Sequence, residues 1–121
     1  MKKTELGTWG EERAAEALEK KGYRVIERNF RCRLGEIDLI ARKDPCLAFV
    51  EVKLRRNADF GEAREFVDYR KQQKIRFAAQ YYLSARPWAQ ELQARFDVME
   101  IYAPKGTDGA FSVIHLEDAF E

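Results

Sequence analysis

The sequence predicts a mixed α/β domain with a central five-stranded sheet flanked by helices, in the order α-β-β-β-α-β-β. Two stretches carry apolar residues at helical spacing, around residues 8–21 and 62–85. Five runs rich in β-branched and aromatic residues read as strands. Asp44-Pro45 is a turn signal between two of those runs, which makes them an antiparallel hairpin. At 121 residues, the chain is expected to form one domain over 1–121.

The elements follow in chain order. Thr8 with Glu11 three residues on fits a capping box, and Ala14, Ala15 and Leu18 define the buried face of the helix it would open. Gly22 closes that helix as a C-terminal cap. Residues 23–30, 35–42 and 46–54 read as three strands. Residues 57–61 form a loop, with Phe60-Gly61 at its end, and a long helix is expected from 62 to 85, stopped ahead of Pro87. On it Val67, Lys71, Ile75, Ala78 and Tyr82 form one stripe. Strands at 95–103 and 110–120 complete the set, joined by the turn 104–109.

Charge is uneven along the chain. The net charge is +1, but residues 1–96 hold 21 basic against 15 acidic side chains (+6), and residues 97–121 hold one against six (−5). The basic excess clusters in 28–33, 53–56 and 69–76, which is a moderate electrostatic footprint. No apolar run is long enough to span a membrane, and the N-terminal residues lack a signal-peptide core, so a cytoplasmic location is expected. Cys32 and Cys46 have no CxxC or Cys/His company, which argues against a zinc site.

The strands "GEIDLIAR" and "CLAFVEVKL" hold charges inside apolar runs. Side chains alternate faces along a strand. A hairpin centred between Asp44 and Pro45 pairs residues whose numbers sum to 89, so Asp38 faces Glu51 and Glu36 faces Lys53. Facing residues have Cβ atoms ~4.5–5.5 Å apart. Two carboxylates at that distance repel unless a cation lies between them, and hard oxygen ligands suit Mg²⁺ or Mn²⁺. The bland alternative is a solvent-facing side with surface ion pairs worth little. Ile40 and Phe49 on the same face argue that it is covered instead. Asp38, Glu51 and Lys53, with the Val52 carbonyl as a further ligand, supply what metal-assisted phosphodiester hydrolysis needs: carboxylates for the ion and a cation for developing charge.

Asp38 with Glu51-Val52-Lys53 looks like the PD-(D/E)xK nuclease signature, with Ile37 in place of its Pro. The longer string is more specific: "GEERAAEALEKKGYRVIERNFRCRLGEIDLIA", "LAFVEVKLR", "RFDVMEI" and "IHLEDAF". It closely resembles the YraN-type family of endonuclease-like bacterial proteins, itself similar to archaeal Holliday junction resolvases. The resemblance implies a restriction-endonuclease-like fold, Asp38, Glu51 and Lys53 as active-site positions, and an acid in the first helix, a place that Glu11 fits. It also motivates a homodimer.

Other residues complete the expected site. Glu36 is expected as a supporting partner of Lys53. Lys71 lies on the apolar side of the long helix and either extends its amine to water or points at the site. Lys74, Arg55, Arg56, Arg31 and Arg33 are candidate phosphate contacts or plain solvated charges. His115 is the only histidine and reads as structural, which excludes two-histidine ribonuclease chemistry in one chain. No phosphate-binding glycine loop is present. Three functions compete. The first is a Mg²⁺- or Mn²⁺-dependent endonuclease acting on DNA, branched or otherwise structured, with RNA as a further substrate to test. The second is a non-cleaving nucleic-acid-binding module of the same fold. The third is a protein-interaction domain with a solvated charged face.

Overall fold

The computed structural model describes residues 5–56 and 67–121. Helix α1 (Glu5–Lys20) leads into strands β1 (Arg24–Cys32), β2 (Gly35–Lys43) and β3 (Cys46–Arg55). Helix α2 (Tyr69–Ser84) and a short 3₁₀ turn (Pro87–Glu91) cross over to β4 (Gln93–Tyr102), and β5 (Ser112–Phe120) ends the chain. The strands form one sheet in the order β1-β2-β3-β4-β5. The β3–β4 pair is parallel and the others antiparallel, so the sheet is mixed, as expected.

Each helix covers one face. Leu39, Ala41, Ala48, Val50, Met99 and Ile101 pack with Ala14, Ala15 and Leu18 of α1. Ile40, Leu47, Phe49 and Val98 pack with Ile75, Ala78, Ala79 and Tyr82 of α2. Alternation along β3 therefore sends 47, 49, 51 and 53 toward α2, and 48, 50, 52 and 54 toward α1. It fails once on β2, where Ile37 joins the α2 cluster while Leu39 joins the other. Nearby Asn29 on β1, between the pairs Arg28–Leu39 and Phe30–Ile37, has φ +52°. Asn tolerates that left-handed conformation better than most residues, and the kink there accompanies the change of face.

Gly22 ends α1 as its sequence suggested. Its φ is +92°, and Tyr23 N–H donates to Leu18 O at 3.0 Å, closing the last turn. The start of α1 differs. The helix is already formed at Glu5, so Thr8 and Glu11 are interior and no capping box operates there. Packing explains the longer helix: Trp9 meets Phe111 edge-on at 5.2 Å, and Gly10 is buried against Leu54. α2 begins later than expected. Asp68 caps it, its carboxylate accepting from Lys71 N at 2.8 Å, so Val67 is buried ahead of the helix rather than on it. The expected loop at 57–61, Phe60-Gly61 included, and the helical reading of 62–66 lie outside the described residues. No helix among the described residues is long and apolar enough to cross a membrane.

Candidate active site

The β2–β3 register is the one the turn implies. Leu39 pairs with Val50, Ile40 with Phe49, and Lys43 with Cys46. Past Leu39–Val50 the backbone ladder gives way to a side chain: Val52 N–H donates to Asp38 Oδ2 at 2.8 Å. Asp38 and Glu51 are both buried, at 6% and 5% exposure. They lie near the end of β3, on the face that α2 covers.

Glu51 is the centre of the arrangement. Lys71 Nζ, from the first turn of α2, lies 3.1 Å from Glu51 Oε2, and Lys53 Nζ lies 3.7 Å from the same oxygen. Burial, followed by the charge of Asp38 and a hydrogen bond to its carboxyl, pushes the Glu51 carboxyl up to about 7; Lys71 works in the opposite direction. Burial opposes the charge on Lys71, yet Glu51, Asp38 and Glu36 together hold its ammonium above the ordinary value. The two acids thus share one poorly solvated space and lean on two lysines.

Glu100 belongs to the same row. The parallel register sets it beside Lys53, and Arg55 Nη1 reaches Glu100 Oε2 at 3.1 Å. Both side chains are nearly buried. Sequence reasoning missed Glu100; its signal is an acid set between the apolar residues Val98, Met99 and Ile101.

The remaining expected residues divide. Lys71 reaches the acids, as one of its two readings required. Arg55 is committed to Glu100 rather than left open to a phosphate. Glu36 is ion-paired at 3.2 Å with Arg31, its register partner on β1, and not with Lys53, the partner expected for it. The change of face between Ile37 and Leu39 separates Glu36 from the β3 row. Arg56 and Lys74 are exposed. Glu11 is buried on α1, the helix on the opposite face of the sheet, next to Gly10, which packs on Leu54 near the end of β3. His115 lies away from the acids, between Asp97 at 2.8 Å and Lys21 at 2.7 Å.

Asp38, Glu51 and the Val52 carbonyl are the oxygens that could hold a cation here. Among the described residues, no group of three or more His, Cys, Asp or Glu side chains is gathered to hold an ion. Mg²⁺ commonly takes only one or two carboxylates and keeps several waters, so this smaller set fits it.

The sequence pattern of the uncharacterised protein family UPF0102 matches residues 10–101, which cover α1 from Gly10 onward, the whole hairpin and most of β4. The chain belongs to this family. Among its relatives, the UPF0102 protein of Caldicellulosiruptor saccharolyticus is 46% identical over 84% of this chain and 86% of its own. That of Caldanaerobacter subterraneus is 43% identical over 99% and 98%, and that of Syntrophomonas wolfei 45% over 96% and 97%. Both candidate acids and both lysines fall within the matched span.

Proposed function

We propose that this chain is a divalent-metal-dependent endonuclease of restriction-endonuclease-like architecture, hydrolysing phosphodiester bonds of DNA. The observation that carries the reading is the buried Asp38–Glu51 carboxyl pair with Lys71 and Lys53 on one of its oxygens. A purely structural role explains poorly why two acids should share buried space, since their mutual repulsion is costly. Asp38, Glu51 and the Val52 carbonyl would hold Mg²⁺ or Mn²⁺. When bound, the ion supplies an activated water and neutralises charge on the phosphoryl oxygens. Asp38 is fixed for this work by the Val52 N–H. Lys53 stands beside the acids to offset charge that grows on the phosphate. Lys71 releases Glu51 and meets a non-bridging phosphate oxygen.

One observation favours a second reading. Glu51 is already ion-paired with Lys71 at 3.1 Å, which suits a module that merely holds phosphate with its lysines. A single experiment separates the two. Purified protein is incubated with Mg²⁺ or Mn²⁺ on labelled single-stranded, duplex, flapped and four-way-junction DNA and on RNA. Cleavage that falls at least about 100-fold in Glu51→Gln and Asp38→Asn supports the nuclease. Salt-sensitive binding without cleavage by any form supports the module.

A further inference from the structure

The β1–β2 turn stands between two hollows. One, of about 390 Å³, opens toward α2 and is lined by Arg31, Arg33, Leu34, Glu36, Lys71 and Lys74. The other, of about 550 Å³, lies on the far side of Arg31–Leu34 and ends at Tyr81. Of its four cationic side chains, Arg31 is paired with Glu36 and Lys71 with Glu51, which leaves Arg33 and Lys74 to face an anion carrying more than one charge. Among the described residues, no ion pair occupies Arg33 or Lys74. The second hollow is mostly apolar. Leu34 and Tyr81 are 55% and 57% exposed there, and Phe30 supports the Tyr81 ring from behind at 6.3 Å.

A charged hollow beside one of mostly apolar surface matches the two halves of a nucleotide. We propose that this turn and α2 form a subsite for an unpaired nucleic-acid strand, with backbone phosphate against Arg33 and Lys74 and a base against Tyr81 and Leu34. The inference deepens the proposed function and rests on it for direction: Lys71 lines the charged hollow and also touches Glu51, so a strand lying there leads to the acids. The choice of an unpaired strand comes from the ring. Bases of a duplex are stacked on each other and cannot reach an aromatic side chain, whereas every unpaired base offers a free face. The site is also built to keep its shape. A Cβ on Gly35 would lie 2.5 Å from Lys74 O, so the turn sits directly on the α2 backbone.

The test reads binding without metal, so it does not depend on cleavage. Anisotropy of fluorescein-labelled oligothymidylate, and of a duplex of equal length, is measured in EDTA for wild type, Tyr81→Ala and Leu34→Ala. Tyr81→Ala is expected to weaken single-strand binding about ten-fold and to leave duplex binding within about two-fold. Leu34→Ala shifts the same preference by a smaller factor. In wild type, oligothymidylate slows alkylation of Cys32, which lines both hollows, relative to Cys46 at the opposite end of the sheet. Equal losses on both DNAs, or unchanged binding with unprotected Cys32, overturn the subsite. So does a smaller sedimenting species in Tyr81→Ala with DNA binding intact, since the surface would then join copies of the chain. Strand binding without metal-dependent cleavage keeps the subsite and removes the nuclease. Cleavage that ignores both substitutions on every substrate does the reverse.

Discussion

At the residue scale, Glu51 concentrates the charges of the candidate site and a conflict between that site and stability. Its carboxyl titrates near 7 in the folded protein against 4.5 for a free glutamate, chiefly through burial and then Asp38. Below about pH 4.5 the group is protonated folded or unfolded and has no net effect. As pH rises toward 7 the unfolded chain releases this proton while the folded one keeps it, so stability falls, and above 7 the full cost is present. Glu51→Gln should therefore raise stability at pH 8 by on the order of 2 kcal/mol and change little at pH 4, measured by urea unfolding at both values. An equal effect at the two pH values would deny the buried carboxylate. Lys71→Met should push the Glu51 titration higher still, because it removes the charge and hydrogen bond that lower it; carboxyl NMR titration shows the direction. The meeting of Asp38 with Glu51 was legible in the sequence, since a two-residue turn fixes the register and alternation does the rest. The partners of Arg55 and Glu36 were not, because each lies on a strand whose register against β3 or β2 depends on another connection.

At the element scale, two contacts hold the layers in place. Gly35 brings the β1–β2 turn onto α2, and Gly35→Ala must displace one from the other, since a backbone oxygen cannot move alone. A loss of about 1–3 kcal/mol is expected in thermal or urea unfolding, with faster amide exchange in the turn. On the other face Asp97 of β4 is fully buried and ties β4 to β5. Arg95 donates to both its oxygens at 2.8 Å, Asp118 N–H of β5 donates at 3.0 Å, and His115 Nε2 lies at 2.8 Å. Lys21, just beyond α1, donates to His115 Nδ1, and Arg95 also donates to the Tyr23 hydroxyl. Burial alone would raise the Asp97 carboxyl, but His115, Arg95 and the Asp118 amide outweigh it and bring it to about 2. Its stabilisation is present above the ordinary 3.8 and is lost as pH falls through about 2. Asp97→Asn should cost on the order of 3 kcal/mol at pH 7. The gap from wild type in urea unfolding should shrink between about pH 4 and 2. The end of α1 was readable because Gly22 has a local reason to be there. The starts of both helices were not: tertiary packing of Trp9 and Gly10 extends α1, and a capping aspartate cuts α2 short of what apolar periodicity allowed.

At the scale of the whole molecule, the uneven charge of the sequence becomes a direction in space. β1 and β5 are opposite edges of the sheet. β1 exposes Arg24, Arg28 and Arg31, whereas β5 exposes Glu117 and Asp118. With a net charge of only +1, the protein has little long-range attraction for a polyanion, so the proposed affinity for nucleic acid would have to come from the basic side itself. This sets a bound on salt dependence. Each phosphate neutralised on a single strand contributes about −0.7 to the slope of log K against log salt. With Arg31 held by Glu36 and Lys71 by Glu51, the contacts of Arg33 and Lys74 predict a slope of about −1.4, far shallower than that of a strongly basic DNA-binding protein. Replacing Arg33 and Lys74 together by Ala should bring it close to zero, because both phosphate contacts go and the exposed side chains leave the fold alone. A slope unchanged by the double variant would move the strand off this cleft and onto the rest of the β1 edge. A slope near zero in wild type would mean that the basic side of the sheet does not face nucleic acid, and the buried acids beside it would need another partner.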